Sequence, residues 1–160
     1  MAEVFNFEDG VKEYAINGDE SRILRVNVSD ANLLPRLYDS FVKAQDMVKN
    51  LKTYNPEGFT LEVAKEGVDR ITEVDQFIRK GFDEVFYSGA AEVVFGKTNV
   101  LAFVGNGDTL YESFMTAFIA VMEKEIKVNS TESEKRIQNY KNTYDKQKEN
   151  FRSYVGGIAK

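Results

Sequence analysis

Four carboxylates, Glu62, Glu66, Asp69 and Glu73, recur at steps of four, three and four residues, the spacing that lines up one face of a helix. Such a row could offer oxygen ligands to Mg²⁺ or Ca²⁺, or an acid/base pair for hydrolysis. These are the chemistries left open by a chain of 160 residues with no His and no Cys. Without imidazole or thiol there is no Ser-His-Asp triad, no thiolate nucleophile, no disulfide frame and no Cys- or His-built metal site.

The neighbours of that row argue against a metal. Lys65 with Asp69, Glu66 with Arg70, Arg79 with Asp83 and Lys80 with Glu84 stand four apart, the pattern of a solvated helix face held by weak ion pairs. A second candidate, Gly105-Asn106-Gly107-Asp108-Thr109, opens a helix in the manner of an anion-binding loop. It lacks the Gly-Lys-Ser/Thr ending of a phosphate loop, and Asp108 puts a carboxylate where the anion would sit. We therefore expect Asp108 to cap a helix, no catalytic residue, no metal and no cofactor.

Charge is unevenly spread. Residues 129–160 hold seven Lys/Arg against four Asp/Glu, a net of +3, which leaves −8 on residues 1–128 out of the total of −5. An acidic body repels nucleic acid, and the carboxylates of the tail dilute its basic residues, so no nucleic-acid partner is expected. The start of the chain has neither a basic nor an apolar leader pattern, and the apolar stretch from Phe114 to Met122 is too short to span a bilayer. The expected location is the cytoplasm, with no membrane contact.

The elements that must position these residues follow from periodicity. Phe5 and Phe7 lead into Asp9-Gly10, Tyr14 and Ile16 into Asn17-Gly18, and Leu24, Val26 and Val28 alternate after them. Asp-Gly and Asn-Gly accept the positive φ angles of tight turns, so three antiparallel strands in a meander are expected. From Leu34 the stripe Leu34, Leu37, Phe41, Ala44, Val48 and Leu51 has helical spacing, and Tyr54 to Gly58 ends it. A second helix is predicted from Thr60 to about Ser88, weakened at Gly67 and Gly81 unless close packing requires them. A short helix at Ala90–Phe95 and a third long one from Asp108 to about Lys127 follow, the latter so apolar over its middle that it should be central.

The last segment is of another kind. Ile137, Tyr140, Tyr144, Phe151 and Tyr154 form a stripe rich in tyrosine and poor in leucine, weak as a coiled-coil seam. Those five residues are the expected partner-binding positions, on a helix that docks on its own body, on a neighbouring subunit or on another protein. Thr131 with Glu134 is a capping-box pattern at its start, and Gly156-Gly157 should end it. The predicted fold is α+β: an N-terminal antiparallel β-meander packed on three long helices in residues 1–128, with a basic helical extension over 129–160.

The order of these parts resembles a known family. Residues 25–32 (Arg-Val-Asn-Val-Ser-Asp-Ala-Asn) lead into Leu-Leu-Pro-Arg-Leu-Tyr-Asp, and Phe82, Asp83, Val85, Phe86, Gly89, Phe95, Gly96, Asn99 and Leu101 stand at the places of a phrase that joins the second and third helices. Over residues 13–125 the chain is similar to the tail assembly chaperones of long-tailed phages and prophages of Gram-positive bacteria. Tyr87-Ser88 replaces the single residue or glycine frequent there, and the basic tail lies outside the phrase. The resemblance implies an interaction protein without catalysis, a self-associating coat on a tape-measure-like protein during tail assembly. The alternatives are a structural component of the tail or another small self-associating interaction protein.

Overall fold

The computed structural model describes residues 1–51, 61–126 and 131–159, with backbone alone at residues 51, 62–64, 126, 131–134, 136, 137 and 157–159. The Tyr54–Gly58 segment expected to end the first helix lies outside the described residues. Two strands, β1 (Val11–Ile16) and β2 (Asp19–Asn27), are followed by five helices: α1 (Leu33–Leu51), α2 (Leu61–Val85), α3 (Ala90–Phe95), α4 (Leu110–Ile126) and α5 (Thr131–Ala159). The class is α+β as predicted.

The meander reduces to a hairpin. Asn17 and Gly18 both take positive φ, 52° and 79°, which closes β1 onto β2 antiparallel with Tyr14 opposite Leu24 and Lys12 opposite Val26. Asp9-Gly10 does not close a second hairpin. Asp9 accepts the Val11 N–H at 2.9 Å in a local turn, and Gly10, at φ 80°, lies so close to Ser29 that a Cβ would be 2.3 Å from its hydroxyl. One residue with positive φ redirects the chain without pairing it, so residues 1–10 carry no strand and Phe5 and Phe7 stand exposed, in ring contact with each other.

The inner face of the hairpin, Leu24 and Val26, is buried, and two fastenings hold it to the helices. Arg22 donates to the carbonyls of Val93 (3.0 Å) and Val94 (2.5 Å), placing a cation at the end of α3 where carbonyls are left without helical partners. Tyr87 donates to the Ile23 carbonyl at 3.3 Å and accepts the Arg25 N–H at 3.2 Å, while the Arg25 guanidinium lies 5.1 Å from its ring centre. Lys12 and Tyr14 both reach Glu125 near the end of α4.

One core runs through the sheet and the helices, from Leu24 and Val26 through Phe41, Val48, Ile78, Phe82 and Tyr111 to Phe151. α1 contacts both α2 and α5, with Phe41 and Val48 fully buried. α4, expected to be central, buries Tyr111, Met115, Phe118, Ile119 and Met122 and leaves Thr116, Ala117 and Ala120 exposed. Small residues raise the apolar content of a helix without requiring burial. The two glycines of α2 differ in kind. A Cβ at Gly67 meets open space, whereas at Gly81 it would approach the Ser40 hydroxyl to 2.8 Å, so only Gly81 serves the close approach of α1 and α2.

Candidate functional site

The tyrosine stripe of α5 packs on the body of its own chain. Tyr144 is 2% exposed, Phe151 is fully buried, and Val155 joins them. Phe41 of α1 sits 5.3 Å, ring centre to ring centre, from both Tyr144 and Phe151, and Tyr111 of α4 is 6.0 Å from Phe151. Tyr140 and Tyr154 are half-buried against the same core, with Tyr140 beside Tyr38 at 6.0 Å. Ile137 lies on α5, and its side chain is outside the described residues. In this conformation Tyr144 and Phe151 therefore offer a partner no surface, because sequence spacing identifies a stripe that must be covered but not which chain covers it. α5 also continues through Gly156 and Gly157 to Ala159, where the glycines were expected to end it.

The socket that receives α5 is acidic and lies at the start of α4. Thr109 and Glu112 form its capping box: Glu112 Oε1 accepts the Thr109 N–H at 3.3 Å and its hydroxyl at 3.1 Å, and Thr109 Oγ1 accepts the Glu112 N–H at 3.1 Å. The cap is thus Thr109, not Asp108 as predicted. The Thr-x-x-Glu spacing of a capping box is legible in the sequence at Thr109 and Glu112.

Asp108 does different work. Its carboxylate accepts from Arg152 of α5 and from Asn106 at 3.2 Å, and lies 3.7 Å from the Lys148 ammonium. Glu112 Oε2 lies 3.8 Å from Arg152 Nε, and neither of these buried atoms has a hydrogen-bond partner among the described residues. Burial raises the Glu112 carboxyl above its ordinary range, against the two Thr109 bonds and the nearby Lys148 charge. Further along the pair of helices, the Tyr144 hydroxyl donates to the Glu112 carbonyl at 3.1 Å, and Lys141 donates to Glu123 at 3.1 Å. Burial likewise raises the Tyr111 and Tyr144 hydroxyls above the ordinary tyrosine range, so both remain neutral. Part of the polarity between acidic body and basic tail is consequently spent within the chain.

Among the described residues no group of three or more carboxylates is placed to hold a metal. Glu66, Asp69 and Glu73 are exposed along α2, and the Glu62 side chain is outside the described residues. Of the ion pairs predicted on α2, the one between Arg79 and Asp83 is replaced. Arg79 pairs with Asp75 at 3.1 Å and donates to the Thr98 carbonyl, while Asp83 turns to the start of α3 and accepts the N–H of Gly89 (3.1 Å) and Ala91 (2.8 Å). A carboxylate facing unpartnered N–H groups at a helix start gains more than one facing a solvated guanidinium.

Asp83 belongs to the phrase that carries the family resemblance, and the rest of that phrase meets at the same corner. Phe82 packs on Phe86 and Phe95 at 4.6 and 5.0 Å, and Gly89 and Gly96 take φ of 92° and 58° on either side of α3. Asn99 Oδ1 accepts the Leu101 N–H at 2.9 Å. Beside this corner an open apolar groove of about 270 Å³ runs between the hairpin and α4, lined by Ile16, Val94, Leu110, Phe114, Phe118 and Val121 among others.

Comparison with protein-family models, with curated proteins and with solved structures gives no match for this chain. No helix among the described residues is long and apolar enough to cross a membrane.

Proposed function

We propose that the protein is a non-catalytic tail assembly chaperone of a long-tailed phage or prophage, acting in the bacterial cytoplasm as an oligomer on a tape-measure-like protein. The observation that carries this reading is the corner between α2 and α4. Phe82, Asp83, Phe86, Gly89, Phe95, Gly96 and Asn99 of the family phrase each have a definite part there: aromatic packing, capping of α3, a positive φ or an Asn turn. Residues needed jointly by one local geometry make the phrase a signature of a fold rather than a chance string.

The surface suits such a role. Val4, Phe5 and Phe7 on the N-terminal arm and Leu61 and Val68 on α2 stand exposed on a body of net charge −8. A long helical client exposes apolar stripes that aggregate if left uncovered, and several small apolar contacts on an acidic, soluble carrier cover them reversibly. Many weak contacts summed over a coat can be displaced by a polymerising tube, whereas one tight site resists displacement.

Co-expression with the long helical product of the adjacent gene tests the proposal. The expected result is that the product stays soluble and co-elutes with this protein; a product that remains insoluble with no co-eluting complex overturns it. Recovery of the protein at fixed copy number in purified particles would instead identify a structural tail component.

A further inference from the structure

α5 is joined to the rest of the molecule differently from the other helices. Beside the buried Tyr144, Phe151 and Val155, much of its attachment is polar: Lys141 to Glu123, Lys148 and Arg152 to Asp108, the Tyr144 hydroxyl to the Glu112 carbonyl, and the Gln45 amide to the Gln147 carbonyl at 3.3 Å. At the centre of that attachment Glu112 Oε2 and Arg152 Nε form a buried ion pair 3.8 Å apart with no hydrogen bond between them, a geometry in which the attraction does little more than offset the cost of burying the two charges. The helix carries positive charge and its socket negative charge, and only the four residues 127–130 separate α5 from α4.

We propose that α5 is an exchangeable strap, which leaves the socket formed by α1 and α4 of its own chain and docks in the same socket of a second copy. The socket asks for a helix with aromatic side chains seven residues apart, to fill the space around Phe41 and Tyr111, and with cations placed to meet Glu123, Asp108 and Glu112. Tyr144, Phe151, Lys141, Lys148 and Arg152 of another α5 meet that demand with the same contacts. Exchange of an identical element adds no new interface to invent. Repeated from copy to copy in one direction, the exchange links subunits head to tail. This inference does not depend on the client or on the chaperone reading.

Two measurements on the full chain test it. Native-state hydrogen exchange should show the amides of α5 opening at a lower free energy than those of α1 and α4; opening of all three together at the global unfolding free energy overturns the proposal. Because the chain has no cysteine, Ser153→Cys and Ser88→Cys variants take single labels. Donor- and acceptor-labelled pools are mixed in urea well below the unfolding midpoint and then returned to buffer. Expected is energy transfer that develops only after the urea step, persists on dilution and elutes as a dimer or larger species. Monomers without transfer overturn the exchange, and transfer that appears at once in buffer and vanishes on dilution overturns it in favour of surface association. A complementing pair gives a third readout: Asp108→Lys and the Lys148→Glu/Arg152→Glu double variant should each lose stability alone, and a mixture refolded together should form a 1:1 species that melts above both. Two separate populations with their own melting temperatures would contradict reciprocal exchange.

Discussion

Arg152, near the end of α5, donates to the carboxylate of Asp108, which lies two residues ahead of α4, so the last helix is fastened to the first turn of the helix before it. Asp108 is almost entirely shielded from water, and Lys148 lies on its other oxygen. Removing either cation leaves a buried carboxylate short of a partner, a larger loss than breaking a surface ion pair. Arg152→Ala should destabilise the protein by about 1–3 kcal/mol in urea unfolding, with Asp108→Asn costing less because the amide oxygen still accepts a hydrogen bond. In a double-mutant cycle the two substitutions should be clearly non-additive.

Phe151 and Tyr144 provide the sharpest contrast between a docking surface and a core. Phe151→Ala empties space beside Phe41 and Tyr111 and should cost about 3–5 kcal/mol, enough to threaten a domain of this size. Tyr154→Ala, at a half-buried position, should cost markedly less. Thermal unfolding by circular dichroism separates the two, and an unchanged melting temperature for Phe151→Ala would show that α5 does not dock as described.

Glu112 couples stability to pH. Its folded carboxyl titrates above the unfolded value, so between those two values the folded state binds more protons. The group's contribution is therefore fully present below the unfolded pKa and declines as pH rises through the folded one. Glu112→Gln keeps the acceptor for Thr109 and removes the titration. Relative to that variant the wild type should gain stability as pH is lowered from neutral toward the ordinary carboxylate range, measured as the difference in urea midpoints. Thr109→Ala removes the cap itself and should cost about 1 kcal/mol at every pH.

The glycines of α2 should respond in opposite ways. Gly67→Ala fills open space on an exposed helix and should stabilise by about 0.5–1 kcal/mol through lower unfolded-state entropy and better helix propensity. At Gly81 the same substitution drives a methyl group toward Ser40 and should gain less or lose stability. Differential scanning calorimetry of both variants checks the pair.

Much of this architecture follows from local pattern alone. The Asn17-Gly18 turn, the bounds of α3 and the apolar stripe of α1 are all readable, because turn chemistry and helical period act over a few residues. The exclusion of His- and Cys-based chemistry needs nothing more than composition. What the pattern leaves open is which partner each group meets. Asp83 stands four residues from Arg79 in the chain, yet it caps α3, and Asp108 stands at a cap position, yet it holds α5. Asp9-Gly10 has the form of a hairpin turn and opens an unpaired arm because Gly10 is pressed against Ser29. The tyrosine stripe of α5 is visible as a stripe, and only the packed structure seats it on Phe41 and Tyr111 of the same chain. Periodicity states that a face must leave water, since burial of apolar surface favours any cover, whereas the kind of socket that covers it depends on three-dimensional complementarity of shape and charge between segments far apart in sequence.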